Sequence, residues 1–180
     1  MRIIGGDKQN LRIHAPKNFP VRPTTDRTKE SIFNILNNVF DFDQLSVLDL
    51  FSGTGNMAYE FASRGAQEVL AVESFPKAVG FIHDTAKKLE LDNLHVIKAD
   101  VFSFIRTSHA QYDVVFADPP YDMENIREIH EYIFKQNFLK PGGWLIIEHS
   151  KRDDLSDMTA FAEARKYGRT RVSFFKTEEQ

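Results

Sequence analysis

From Leu45 onward the chain alternates two hydrophobic rhythms. Short β-branched runs at 47–50, 69–72, 95–97, 114–117 and 144–147 are apolar through rather than alternating, the pattern of strands buried on both faces. Between them lie segments with helical spacing. Residues 76–89, for example, carry Val79, Ile82, Ala86 and Leu89 at intervals of three and four, and Pro76 suits a first helical turn. Strands alternating with helices in this way predict right-handed βαβ crossovers, a mostly parallel sheet and helices on both of its faces. Two ends depart from the repeat. Ile32, Ile35, Leu36, Val39 and Phe40 predict one face of an earlier helix, with Thr24 or Thr25 as N-cap and Asp26 in its first turn. Residues 162–167 and 170–176 flank Gly168 and read as two strands meeting at a turn, which adds an antiparallel C-terminal edge and brings the expected sheet to seven strands.

Composition narrows the picture without changing it. The 180 residues, 42% hydrophobic and 27% charged, fit one globular domain, divided into a basic arm over 1–30 and a core over 31–180. The absence of Cys excludes disulfides, zinc fingers and thiolate catalysis, and the six His are scattered without ligand spacing, so no metal is expected. The start of the chain has no apolar h-region and no uninterrupted apolar run exceeds four residues. Neither a signal peptide nor a membrane span is expected, and the expected compartment is the cytoplasm. The net charge of −3 is unevenly spread: seven Lys/Arg against three Asp/Glu over 1–30, nine against seventeen over 31–150, and seven against six over 151–180. An acidic body with a basic arm fits a polyanionic partner, the alternative being a solvated arm with none.

The first predicted strand runs into Asp49-Leu50-Phe51-Ser52-Gly53-Thr54-Gly55-Asn56, followed by a helix with Ala58, Phe61 and Ala62 on one face and Gly65 at its end. Glycines at a strand-to-helix turn allow a ligand to approach the backbone. Gly53-x-Gly55-x-x-Ala58, with Glu73 twenty residues after Gly53, also satisfies the looser dinucleotide fingerprint of nicotinamide oxidoreductases. Asp49 at the end of the first strand, Glu73 after the second and Asp100 after the third pull away from that reading. Three carboxylates at successive strand ends repel a diphosphate and match a cofactor with an ammonium, a sulfonium, a ribose diol and an adenine amine.

That cofactor is S-adenosyl-L-methionine, and Asp-x-Phe-x-Gly-x-Gly resembles motif I of the Rossmann-like class I methyltransferases. The resemblance implies a cofactor site of Asp49, Phe51, Ser52, Gly53, Thr54, Gly55, Glu73, Ser74, Asp100 and Val101. In it the loop backbone meets the amino-acid moiety, Glu73 the ribose and Asp100 the adenine amine, with the Val101 N–H and side chain against the adenine ring. The fourth strand ends in Asp118-Pro119-Pro120-Tyr121, where two prolines forbid continuation of strand or helix and fix the turn's acceptors in direction. This turn resembles motif IV of methyltransferases that modify amino groups conjugated to a base or amide. Asp118 and the Pro119 carbonyl would accept the two amine N–H bonds, Pro120 would stiffen the turn, and Tyr121 would stack on the target base. His149, just after the fifth strand, is a further candidate for substrate contact.

Arg2-Ile3-Ile4-Gly5-Gly6, the run from Arg22 to Glu30 (RPTTDRTKE) and Tyr167-Gly168-x-Thr170, taken with the two motifs above, resemble the bacterial RsmD family of 16S ribosomal RNA guanine-N2 methyltransferases over essentially the whole chain. The resemblance implies direct transfer, without covalent intermediate or metal, to the guanine conventionally numbered 966. Its setting is a hairpin loop of 16S rRNA on an assembled or assembling small ribosomal subunit, with the protein as a monomer. Arg2, Lys8, Arg12, Lys17, Arg22 and Arg27 would then contact phosphates, Arg22 and Thr25 alternatively closing over the methionine end of the cofactor. Asp7-Lys8-Gln9-Asn10 is less basic than the family pattern leads one to expect. Two other readings stay open: adenine-N6 methylation of DNA or RNA, and a non-catalytic RNA-binding module.

Overall fold

The computed structural model describes residues 1–17, 19 and 24–179. The apolar runs become parallel strands β1 (Ser46–Leu50), β2 (Glu68–Glu73), β3 (Leu94–Lys98), β4 (Tyr112–Ala117) and β5 (Leu139–Ser150). The last two strands, β6 (Phe161–Tyr167) and β7 (Thr170–Lys176), pair antiparallel, giving the order β3-β2-β1-β4-β5-β7-β6. The expected seven-stranded sheet is thus present. Its order reverses between β1 and β4, so the two strands that carry the glycine loop and the double proline lie side by side at the switch point, where open parallel sheets bind ligands.

Alternate residues of each strand feed two cores. Val47, Val69, Val114, Phe116 and Ile146 face helices α1 (Asp26–Leu36), α2 (Asn56–Ser63) and α3 (Pro76–Lys88). Leu48, Leu50, Val72, Val115 and Ile147 face α4 (Val101–Thr107) and α5 (Ile126–Lys135). Helix α3 starts on Pro76, as its sequence predicts. Helix α1 is shorter than its apolar period: it stops at Leu36, leaving Val39 half exposed while Phe40 packs edge-on against Trp144. The Asn38 amide folds back onto the Asn34 carbonyl and the chain turns there, so the last two apolar positions belong to the turn. Thr25, not Thr24, is the N-cap, accepting from the Thr28 N–H.

Residues 1–13 are not a free arm. They fold into a turn closed by an Arg2–Arg12 bridge, with Ile3 and Ile13 buried in the core. The Gly5-Gly6 pair packs on the end of α2: a Cβ on Gly6, at φ +76°, would lie 1.8 Å from the Ser63 carbonyl oxygen. Ser63 Oγ donates to the Gly5 carbonyl and accepts from the Lys8 N–H, while the Asp7 N–H donates to the Ser63 carbonyl. The glycines singled out in the sequence therefore serve docking.

Beneath this turn lies a fully buried ion pair. Lys29 Nζ is 3.0 Å from Glu60 Oε2 and also donates to the Arg2 carbonyl and to Asn56 Oδ1, so its three protons are all used. Glu60 in turn accepts from the Ile4 N–H and from Arg64, both at 2.9 Å. Burial lowers the proton affinity of Lys29 and Glu60 opposes that. Removing one partner strands the other charge, so Lys29→Met is expected to cost about 3 to 5 kcal/mol in urea unfolding, and Lys29→Met/Glu60→Met to regain most of it. Equal losses in the single and double variants would show that the pair is not the cause.

Candidate active site

Two loops meet at the carboxyl edge of β1 and β4. The first turns sharply through left-handed residues Phe51 (φ 58°), Gly53 (φ 55°) and Gly55 (φ 83°), and Ser52 closes it by donating to the Asp49 carbonyl at 2.7 Å. Gly55 is required twice over, by its φ and because a Cβ there would sit 2.8 Å from the Tyr59 ring. Glu73, at the end of β2, braces the loop: its two carboxylate oxygens accept the Gly53 and Phe75 N–H groups at 2.8 Å. This bracing role was not foreseen in the sequence. Thr54 is buried beside Met1, and Ser74 is exposed next to Glu73. The Ala99 N–H donates to the Glu73 carbonyl, which keeps the next turn on the same edge. There Asp100 lies two residues beyond β3, exposed, as the N-cap of α4 accepting from the Ser103 N–H, and Val101 is buried behind it. The structure thus gathers all the expected cofactor residues along one edge.

Asp49 is 2% exposed and its Oδ2 has no hydrogen-bond partner among the described residues. Burial raises its pKa to about 7, against hydrogen bonds from Ser52 and the Ala58 N–H and with a further rise from Glu73. A buried carboxylate oxygen left without a partner at the mouth of a glycine loop fits a cationic ligand group, so the residues present suit the expected cofactor.

The second loop, Asp118 to Tyr121, follows β4 on the same face of the sheet. Asp118 lies between Asp49 on one side and Glu148, near the end of β5, on the other. Burial first, then repulsion from Glu148 and Asp49, holds its carboxyl well above the usual range. The Thr24 hydroxyl donates to Glu148 at 2.8 Å and lies close to Asp118. Asn56 fixes Thr24 through its carbonyl at 2.8 Å and links it back to Lys29. Thr24, Glu148, Asn56 and Lys29 were missed in the sequence, although Glu148 ends its apolar run much as the other acids do.

Pro119 is buried, Pro120 exposed, and Tyr121 is 62% exposed with its hydroxyl donating to the Arg169 carbonyl at 2.8 Å. His149 does not face this site: its ring nitrogens bond Ser173 Oγ and the Ser150 carbonyl inside the sheet, and burial lowers its pKa. Thr25 is occupied as a helix cap. The basic residues are dispersed. Arg2, paired with Asp26 at 3.3 Å, and Arg12 flank the start of α1, Lys17 and Arg27 are exposed, and Lys8 sits at the far end of α2, beside Ser63. Arg22 lies outside the described residues.

The Asp49 carboxyl binds its proton more tightly folded than unfolded, so its charge opposes folding once the pH exceeds about 4, and the cost grows until about pH 7. A rise from 3.8 to about 7 corresponds to about 4 kcal/mol. Asp49→Asn is therefore expected to be more stable than the parent at pH 8 by up to that amount, the advantage shrinking between pH 7 and pH 4 and vanishing below. Urea unfolding across this pH range checks it; a constant difference would refute it.

Comparison with known proteins agrees with this architecture. Residues 1–176 match the family model described as "Conserved hypothetical protein 95". The Ribosomal RNA small subunit methyltransferase D of Buchnera aphidicola is 32% identical over 148 residues, spanning 82% of this chain and 75% of that protein. A hypothetical protein of Thermus thermophilus superposes with a TM-score of 0.86 at 25% identity, covering 99% of both chains. An RNA methyltransferase of Salinibacter ruber, solved with S-adenosyl-L-homocysteine, shares the fold at TM-score 0.69 and 17% identity over 88% of this chain and 95% of that one. With matching sequence, fold and motif placement, the chain belongs to the "Conserved hypothetical protein 95" family, the RsmD family that its motifs resemble.

Proposed function

We propose that this site methylates the exocyclic N2 of a guanine in 16S ribosomal RNA, on assembled or assembling small subunits. As a member of its family the chain is a methyltransferase of ribosomal RNA dependent on S-adenosyl-L-methionine; guanine N2 is the finer reading, and the family motifs support it. The observation that carries the reaction class is the closeness of two carboxyls across the switch point, buried Asp49 from the glycine loop and Asp118 from the double-proline turn.

Asp49 and the backbone from Phe51 to Gly55 would hold the amino-acid end of the cofactor, Glu73 and Ser74 its ribose, and Asp100 and Val101 its adenine. Glu73 already accepts two N–H groups, and each of its oxygens keeps a second lone pair for a hydroxyl. When bound, S-adenosyl-L-methionine supplies a methyl carbon made electrophilic by its sulfonium. The chain's own task is to present the amine. A base amine is a poor nucleophile because its lone pair is delocalised; accepting its two N–H bonds at Asp118 and at the Pro119 carbonyl favours a pyramidal nitrogen with the lone pair free. The rigid Pro119-Pro120 pair holds both acceptors in fixed directions. The exposed Tyr121 ring, anchored through its hydroxyl, offers a face for the target base, a contact worth about 1 to 3 kcal/mol.

Labelled S-adenosyl-L-methionine supplied with unmethylated small subunits, naked 16S rRNA or duplex DNA, followed by nucleoside mass spectrometry, tests this reading. N2-methylguanosine from subunits is expected; N6-methyladenosine from any acceptor would overturn the base assignment. Asp118→Ala is expected to abolish transfer while calorimetric cofactor affinity changes little. Glu73→Ala is expected to weaken cofactor binding by about 1 to 3 kcal/mol, and unchanged affinity would remove its assignment.

A further inference from the structure

Among the described residues, exposed cations from the far end of the sequence lie at the sheet edge that carries the site. Antiparallel pairing of β7 with β5 sets Thr170 opposite Ser150, so the β6–β7 turn lies at the same sheet edge as the double-proline turn. One carbonyl joins these segments: the Arg169 oxygen accepts from the Tyr121 hydroxyl at 2.8 Å and from the Lys151 N–H at 3.2 Å. Gly168, at φ +60° with open space around it, permits that turn. The side chains of Lys151, Arg152 and Arg169 are exposed there, and none has an ion-pair partner among the described residues. Neighbouring Arg171 differs, being tied to Asp154 and to the Asp153 carbonyl. Asp122 and Glu124, which follow Tyr121 in sequence, are exposed.

The site itself has the opposite sign. Asp49, Asp118 and Glu148 converge in it, and such a well attracts amine donors and repels phosphates. An acidic well beside a cationic rim orients a nucleotide with its base inward and its backbone outward.

We propose that Lys151, Arg152 and Arg169 form the phosphate-binding rim for the single-stranded RNA that flanks the nucleotide entering the site, its path running past Arg169 beside Tyr121. The proposal rests on the RNA reading above and adds to it a binding surface in the C-terminal third of the chain.

The test compares the parent, Lys151→Gln/Arg152→Gln/Arg169→Gln, and a control that removes three exposed charges elsewhere, Lys87→Gln/Lys88→Gln/Lys135→Gln. Binding to unmethylated small subunits and to a synthetic RNA hairpin with a guanine-bearing loop is measured across a salt series, and cofactor affinity is measured by calorimetry on each protein. The rim variant is expected to bind both RNAs about tenfold or more weakly, with a salt slope reduced by about 2, since each single-strand phosphate contact contributes about 0.7. Its cofactor affinity is expected to match the parent's, and the control to keep the parent's slope. Rim and control variants with the same affinity and slope would overturn the rim, while a parent that binds cofactor but neither RNA would overturn the RNA reading and the rim with it.

Discussion

The buried contact between Lys29 and Glu60 is the constraint around which the site is assembled. Neither side chain is exposed, and together their bonds reach the N-terminal turn through Arg2 and Ile4, the start of α2 through Asn56 and its end through Arg64. A lysine that loses its water must find every partner nearby, and these partners come from two separate segments of chain, the N-terminal turn and α2. Asn56 extends the network to the Thr24 carbonyl, and the Thr24 hydroxyl carries it to Glu148, beside Asp118. Folding the N-terminal turn onto α2 and placing a hydroxyl between two site carboxyls are thus parts of one hydrogen-bonded chain.

That chain ends at a site whose electrostatics are set against it. Asp49, Asp118 and Glu148 lie along adjacent strand ends, and burial with mutual repulsion raises the proton affinity of the first two. Such an arrangement is costly to an empty fold and favourable to positive or proton-donating ligands, as binding sites commonly are. Under the proposed reading, Asp49 answers a cation beside the glycine loop and Asp118 accepts an N–H bond beside the double proline.

Much of this was legible in the sequence because it is local. The apolar runs gave the parallel strands, and the glycine and double-proline loops were placed at the correct strand ends. Periodicity alone makes helix α1 too long, because Val39 and Phe40 continue its apolar face while the Asn37-Asn38 turn interrupts it. Lys29 was overlooked although it shares a stripe with Ile32, Phe33 and Leu36; an ammonium on an apolar stripe signals a buried partner. Thr24 and Glu148 could not be joined in the same way, being 124 residues apart. The Gly5-Gly6 pair, legible as a motif, acquired its physical meaning only when Ser63 was found against it.

The central claim is that the carboxyl well recognises a cation and changes its protonation in doing so. Calorimetry of S-adenosyl-L-methionine binding near pH 7, in two buffers of different ionisation enthalpy, measures the protons exchanged. With the Asp49 pKa raised to about 7 in the free protein, binding is predicted to release a substantial fraction of one proton, falling toward zero above pH 9. Tight binding with no proton release near pH 7, or equal affinity for a nicotinamide dinucleotide, would contradict the account.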